Sequence, residues 1–371
     1  MRIVSCFSGI GGLEGANDPI AVCEIDSDAR TVLSRKFPKA EQFTDVLKMS
    51  PPEADVVIGG WPCQDLSIAG AQEGLSGKRS VLFYELLRIA NEAHADSIVA
   101  ENVPNLLRLN QGREFYEVLL ELTASGYPFI SWRLLNAREF GLPQERRRVF
   151  IVASKNPSIA LALHRDIPEP ESFSRISPQA NGFYWTAGIQ GMAYSRGYSP
   201  TIKVGSALDI ESPPAVHNRG LVRKLSPEEC LNLQGTSIKH FAGISKKKIY
   251  KFAGNAVALP VGKFAVETAL QDDSWRSEVS AQMSMLKLES VPTGGWGNEG
   301  HWADGNITPF HRPKNLNLAT DLHRFLVSDP KDYLLSPRAI QGLIKRMEES
   351  GKRWPDGLLD DLKNTHLQVS V

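Results

Sequence analysis

One sulfur in this chain is set up for chemistry. Cys63 lies in Gly59-Gly60-Trp61-Pro62-Cys63-Gln64-Asp65-Leu66-Ser67-Ile68-Ala69-Gly70. Ahead of it, Ala54–Ile58 is short, apolar and β-branched, which predicts a buried strand closed by the glycine pair. Pro62 fixes its own φ and removes a backbone donor, so the loop is stiff just before the thiol. Most free cysteines are small buried hydrophobes. A thiol presented past a strand end, at the edge where open α/β sheets place ligands, reads instead as a nucleophile. At a pKa of about 8.5 only a few per cent is thiolate at neutral pH, so it needs an activating environment or a substrate that activates itself.

Two other groups could supply that. Glu101 begins Glu101-Asn102-Val103-Pro104 at the end of a predicted strand over Ser97–Ala100. A sheltered carboxyl there can serve as an acid, and a structural helix-capping role is the alternative. Gln144-Glu145-Arg146-Arg147-Arg148 leads into the apolar strand Val149–Ala153. Three adjacent guanidinium groups just before a core strand call for a buried anion, phosphate or carbonyl. A third constellation opens the chain. Arg2–Cys6 reads as a strand, followed by Phe7-Ser8-Gly9-Ile10-Gly11-Gly12-Leu13. That turn lets backbone approach a ligand. It is neither a full G-x-G-x-x-G nor a P-loop, and a plain β–α turn is the alternative. Glu24-Ile25-Asp26 ends a second strand, where an acid suits ribose hydroxyls or a helix N-terminus. Asp45 ends a third strand and suits an adenine amino group or a turn. Glycines, acid and acid at successive strand ends describe an adenosine-type cofactor site.

The elements that position these groups alternate strand and helix as far as Ala153. Helical spacing runs over Ser80–Ala93 and Gly112–Ser125, and a strand over Ile130–Leu135. The pattern is an α/β, Rossmann-like, doubly wound, mainly parallel sheet. Four segments follow from composition. Residues 1–155 form a catalytic and cofactor-binding domain. Residues 156–222 are Gly-, Pro- and Ser-rich with interleaved aromatic and basic residues, and read as a smaller irregular recognition region or as a plain small β domain. Residues 223–271 return to the catalytic domain, starting on a Ser226-capped helix. Residues 272–371 are an appendage, irregular over 272–315 and then carrying short helices. Its mixed charges favour packing on the large domain over nucleic-acid contact. Lys246-Lys247-Lys248 is a solvated charge run that would also suit a phosphate backbone.

The chain has 371 residues, 42% hydrophobic and 23% charged, with 42 basic and 42 acidic side chains. A balanced charge leaves any nucleic-acid contact to local patches. The four cysteines form no C-x-x-C pair, and the histidines lack metal-ligand spacing, so no metal site is expected. The sequence has neither a bilayer-length apolar run nor a signal-peptide pattern, which points to the cytoplasm and away from membranes.

Six stretches in order, FSGIGGLE, GGWPCQDLSIAG, ENVP, QERRRVF, RKLSPEECLNLQG and GNAVALPV, resemble the DNA cytosine-5 methyltransferase family of bacterial or phage type over about residues 1–270. The resemblance implies S-adenosylmethionine as cofactor. It would be held by Phe7, Gly9, Ile10, Gly11, Gly12, Glu24, Ile25, Asp45, Val46, Pro62, Leu82, Asn255 and Ala256. Cys63 would attack carbon 6 of a flipped-out cytosine, Glu101 would hydrogen-bond or protonate ring nitrogen 3, and Arg146 and Arg148 would steady the base. Gln64, Ser67, Thr201 and Ile202 would contact duplex DNA, with Ile202 in place of the family's Leu. Ala256 stands where the family often has Ser. The resemblance also implies a monomer, with any cognate restriction endonuclease a separate protein. Cytosine-5 methylation of RNA and a silent DNA-binding regulator are the alternatives.

Overall fold

The computed structural model describes residues 1–15, 17–62, 81–168, 180–185, 193–203, 212–218, 220–270, 299–303, 306–309, 321–327, 329, 333–350 and 354–369. Cys63, Gln64 and Ser67 lie outside them. In chain order the strands are β1 (Ile3–Cys6), β2 (Ala21–Cys23), β3 (Glu41–Phe43), β4 (Val56–Gly59), β5 (Ser97–Asn102), β6 (Phe129–Asn136) and β7 (Arg147–Ser154). They continue as β8 (Ala180–Phe183), β9 (Ser195–Arg196), β10 (Ala215–Asn218), β11 (Leu221–Lys224), β12 (Glu299–Ala303) and β13 (Asn306–Pro309). The helices are α1 (Ser27–Lys36), α2 (Val81–Glu92), α3 (Arg113–Ala124), α4 (Pro157–Leu161), α5 (Pro227–Asn232), α6 (Lys246–Asn255), α7 (Leu259–Leu270), α8 (Pro337–Glu349) and α9 (Leu358–Val369).

The chain forms two compact units. The first comprises Met1–Asn136, Arg147–Pro168 and Val257–Leu316. Its nine-stranded sheet runs β13-β12-β6-β7-β5-β4-β1-β2-β3. The pairs β2–β3, β1–β2, β1–β4 and β4–β5 are parallel, while β7 is antiparallel to both β5 and β6. The β1 and β4 strands are buried at every residue, as expected for a sheet covered on both faces. One face places Val4, Cys6, Val57, Ile98, Ala100 and Ile151 in a core with Phe83 and Leu86 of α2 and Phe115 and Val118 of α3. Alternate residues Ile3, Val56, Ile58, Val99 and Val152 point the other way and are buried too.

The second unit comprises Ala137–Arg146, Glu169–Ala256 and Asn317–Val371. It holds an antiparallel sheet in the order β11-β10-β8-β9. Ser226 and Glu229 form a capping box at the start of α5. Glu229 also binds Arg223 through two bonds of 2.8 Å, so this buried carboxylate is paired.

Two features of the tail depart from the sequence reading. Residues 299–303 and 306–309, expected as irregular linker, form β12 and β13 at the sheet edge. Trp302 is buried, and Gly300 is required because a Cβ there would lie 2.2 Å from the Trp132 ring. The last helices belong to the second unit, where the reading of the sequence favoured packing on the large domain. Ile340, Leu343 and Met347 of α8 and Leu358 and Leu362 of α9 share a core with Phe183, Ala215 and Val222 of the small one. The irregular region alone has too short a sheet to bury a face of its own, and the two amphipathic helices cover it. The first unit also runs on to Pro168, beyond the expected break at 156. No helix among the described residues is long and apolar enough to cross a membrane.

Candidate active site

Strand register lines up the residues singled out in the sequence. Cys6 pairs with Cys23 on one side and Gly59 on the other; Cys23 pairs with Phe43, and Gly59 with Ala100. Phe7, Glu24, Thr44, Gly60 and Glu101 are each the next residue along. Five adjacent parallel strands therefore deliver them to one carboxyl edge, where ligands of open α/β sheets bind.

The Gly-rich part of this edge is built from backbone held by side chains. Glu24 accepts from Gly9 N–H at 2.9 Å and from Asp26 N–H at 2.9 Å, which ties the Gly-rich turn to the end of β2. Phe7, Gly9 and Gly11 all have positive φ. A Cβ on Gly9 would meet nothing within 4 Å, so the turn leaves open space there. A Cβ on Gly12 would lie 2.2 Å from the Val257 carbonyl oxygen, so this glycine is demanded by protein packing. Ile10 is buried. Ile25 is 77% exposed, a large apolar surface beside Glu24. Asp45 caps the short turn Val46–Lys48 through Leu47 N–H at 3.0 Å. Val46 is buried, and Leu82 packs on the main core.

Farther along the same edge, Glu101 meets Arg148. β7 runs antiparallel to β5, so its first residues lie beside the end of β5, with Asn102 opposite Val149. Arg148 Nε is 3.0 Å from Glu101 Oε1, and both side chains are mostly shielded. Gly60 makes this possible, since a Cβ there would lie 2.9 Å from Glu101 Oε2. Asn102 Nδ2 donates to the Trp61 carbonyl at 3.4 Å, and Trp61 packs against Phe83 with ring centroids 5.1 Å apart. The chain is therefore anchored up to Pro62, which is exposed and immediately precedes Cys63. The other three cysteines are inert by position. Cys6, Cys23 and Cys230 are buried, and burial raises each thiol pKa, to about 12 for Cys23.

The remaining candidates lie in the second unit. Arg146 is 2% exposed and donates to the carbonyls of Ile202 at 3.3 Å, Gly254 at 3.0 Å and Ala256. Its guanidinium grips backbone, so the geometry gives it a positioning part in place of the base contact expected from the resemblance. Thr201 donates its hydroxyl to the Glu145 carbonyl. Ile202 is 1% exposed, with its side chain turned inward and its N–H bonded to Gln144 Oε1 at 3.1 Å. Asn255 is exposed and Ala256 buried.

The protein-family model for the C-5 cytosine-specific DNA methylase matches residues 1–187. A type II methyltransferase of Bacillus subtilis (strain 168) is 35% identical over 321 residues, spanning 80% of this chain and 82% of that protein. The chain belongs to the C-5 cytosine-specific DNA methylase family. It is a DNA (cytosine-5-)-methyltransferase by that membership. A type II methyltransferase of Bacillus sp. (strain RFL6) is 28% identical over 302 residues, 70% of this chain and 96% of its own. A methyltransferase of Entamoeba histolytica shares the fold, with a TM-score of 0.53 and 17% identity over 73% of this chain and 99% of that one.

Three positioning residues of this methyltransferase escaped the sequence reading. Lys36 Nζ donates to the carbonyls of Ile10 and Gly11 at 2.8 and 3.0 Å, holding the Gly-rich turn from α1. Arg88 of α2 donates to the carbonyls of Val46 and Met49 at 2.7 and 3.1 Å, fixing the turn after Asp45. Gln144, fully buried, bonds Leu233 and Ile202. Only Gln144 carried a signal, as the uncharged first residue of the Arg-rich stretch.

Proposed function

We propose that this methyltransferase transfers the methyl group of S-adenosylmethionine to carbon 5 of a cytosine flipped out of duplex DNA, through a covalent adduct on Cys63. The observation that carries the reading is the shielded Glu101–Arg148 pair, with Glu101 one residue beyond the last β4–β5 register pair, Gly59 with Ala100. It stands beside Trp61, whose carbonyl accepts from Asn102 Nδ2 two residues before Cys63.

The donor set fits the cofactor. Gly9 leaves open space, Glu24 stands ready at a strand end, and exposed Ile25 offers an apolar face for an adenine ring. Phe7, Gly9–Gly12, Glu24, Ile25, Asp45, Val46, Pro62 and Leu82 are proposed to hold it. When bound, S-adenosylmethionine supplies an electrophilic methyl group on a sulfonium. Cys63 forms a bond to carbon 6 of the ring while Glu101 delivers or shares a proton at ring nitrogen 3, so electrons leave carbon 6 as the thiolate arrives. Arg148 keeps the Glu101 carboxyl aimed and adds positive charge where negative charge develops. Carbon 5 becomes nucleophilic and takes the methyl group. Loss of the carbon-5 proton to a water molecule then expels Cys63 as thiolate and restores the carbon 5–carbon 6 double bond, and the proton shared at ring nitrogen 3 returns to Glu101. Extrusion of the base costs a few kcal/mol, offset by pocket contacts. Gln64, Ser67 and Thr201 are proposed DNA contacts, and Arg146 and Ile202 are proposed to position Thr201. The chain is proposed to act as a monomer, with any cognate endonuclease a separate protein.

The test is incubation with methyl-labelled S-adenosylmethionine and mixed-sequence DNA, with deamination sequencing of the product. The expected result is label at cytosine carbon 5 within one short sequence. Cys63→Ser should nearly abolish turnover while DNA binding persists. Full activity of that variant, or label on RNA alone, overturns the reading.

A further inference from the structure

Phe7 holds a backbone conformation that a bulky side chain avoids, with φ at 56°. Strain of this kind persists only where the surroundings fix it. The fixing groups flank Phe7 in the chain. Ser8 N–H donates to the Cys23 carbonyl at 3.1 Å. Ser8 Oγ reaches back past Phe7 to the Ser5 carbonyl at 3.1 Å and to Ser5 Oγ at 2.8 Å. Ser5 Oγ in turn donates to Glu14 Oε1 at 2.6 Å. Ser5, Ser8 and Glu14 are all buried, Glu14 completely. Glu14 is itself held in place, since Asn17 donates its N–H and its Nδ2 to the Glu14 main-chain carbonyl at 3.1 and 3.0 Å.

Core stability does not account for a carboxyl at this position. Among the described residues Glu14 makes no ion pair, and its Oε2 has no hydrogen-bond partner. A buried carboxyl satisfied on one oxygen is costlier than an apolar side chain of the same size. Burial pushes its pKa up, against the Ser5 bond, toward the uncharged acid. What Glu14 supplies is the fixed end of a hydrogen-bond chain that passes through Ser5 to Ser8. The next residue, Gly9, donates its N–H to Glu24 Oε2 at 2.9 Å. Lys36 grips the far end of the turn at the Ile10 and Gly11 carbonyls, so the near end is left to the chain from Glu14.

We propose that Glu14 is a positioning residue for the cofactor: through Ser5 and Ser8 it locks Phe7 in its left-handed conformation and so sets the Gly9 amide and Glu24 for S-adenosylmethionine. This rests on S-adenosylmethionine being the cofactor. The lock acts on cofactor affinity and touches no reacting atom.

The test compares wild type, Glu14→Met, Glu14→Gln and a control, Ser97→Ala, which breaks the buried Ser97–Ser154 pair of 2.9 Å at the start of β5. S-adenosylmethionine affinity is measured by calorimetry, and stability by urea unfolding without ligand. Glu14→Met should weaken binding about tenfold, the loss expected when a strained residue relaxes out of its binding shape. Glu14→Gln keeps an oxygen for Ser5 Oγ, and it and the control should stay within about twofold of wild type. Glu14→Met is then repeated in the Phe7→Gly background, because glycine takes positive φ freely. There it should cost about twofold or less in affinity. In unfolding the sign reverses. Relaxation of Phe7 returns its strain, so Glu14→Met should lower the urea midpoint less beside Phe7 than in the Phe7→Gly background, a pattern that a purely structural carboxyl does not produce. A loss in Glu14→Gln as large as in Glu14→Met, a matching loss in the control, or equal midpoint shifts in both backgrounds overturns the proposal. Wild-type protein that binds S-adenosylmethionine while Glu14→Met binds it equally well removes only the lock. Wild-type protein that binds no S-adenosylmethionine removes the cofactor reading and the lock with it.

Discussion

Replacing Gly262 by Ala sets two rules against each other. Gly262 lies inside α7, where helix propensity favours Ala by about 1 kcal/mol. A Cβ at this position would lie 2.3 Å from the Gly12 carbonyl oxygen, 2.8 Å from Leu13 Cα and 2.9 Å from the Leu13 carbonyl oxygen. All three are backbone atoms, so no rotamer change relieves the contact. Helix and turn must part by about 1 Å to restore ordinary separations. Overpacking of this kind costs roughly 1–3 kcal/mol, and an unyielding backbone puts this site near the top of the range. Subtracting the propensity gain leaves a net loss of about 2 kcal/mol. In urea unfolding that lowers the midpoint by on the order of 1 M. The parted turn carries Gly9–Gly12, so S-adenosylmethionine affinity measured by calorimetry should fall about tenfold or more, about 1.4 kcal/mol. An unchanged or higher midpoint together with unchanged affinity would refute the reasoning, because helix propensity would then have outweighed the close approach.

Two further perturbations address the chemistry and the sheet edge. Arg148→Met removes the group 3.0 Å from Glu101, and kcat should fall by about two to three orders of magnitude with cofactor affinity kept; turnover near wild type in a single-turnover assay would remove Arg148 from the chemistry. His301 of β12 is buried, and burial, with His164 nearby, lowers its pKa to about 4. The folded value lies below the ordinary 6.5, so on acidification the unfolded chain takes the proton first. Its contribution is fully present above pH 6.5 and is lost as pH falls to about 4, a ceiling of about 3 kcal/mol. His301→Gln should flatten the decline of stability with acid in that window, and parallel curves for the two proteins would contradict it.

The first half of the large sheet was legible because its signals are local. β1, β4 and β5 hold short apolar runs followed within three residues by Gly or acid, and strand ends are where open α/β sheets place their ligands. Reading strand ends therefore singled out Glu24, Asp45 and Glu101, which the strand register places along one sheet edge. The strands β12 and β13 were not legible, since Glu299–Ala303 has no continuous apolar run and is a strand because β6 is there to pair with it. Likewise, amphipathic patterning in α8 and α9 says that a face must be covered but does not name the surface that covers it. Lys36 and Arg88 escaped for a related reason. Each reaches backbone carbonyls more than twenty residues away, and a carbonyl leaves no trace in a residue's identity.

Arg146 and Arg148 show how two similar residues two positions apart take up different work. The chain passes from the second unit to the first between Arg146 and Arg147. On one side of that crossing Arg146 closes on the Gly254–Ala256 turn; on the other, the first residues of β7 carry Arg148 to the end of β5. The chain passes between the units again at Ala256 and Val257, where Ala256 gives its carbonyl to Arg146 and Val257 sets its own carbonyl against Gly12. Both positions act through main-chain atoms, and Ala256 also donates its N–H to the Phe252 carbonyl. That explains why alanine serves where the resemblance led to an expected serine. The contacts made at this position belong to the peptide group, which every residue but proline supplies in full, so the missing hydroxyl removes none of them.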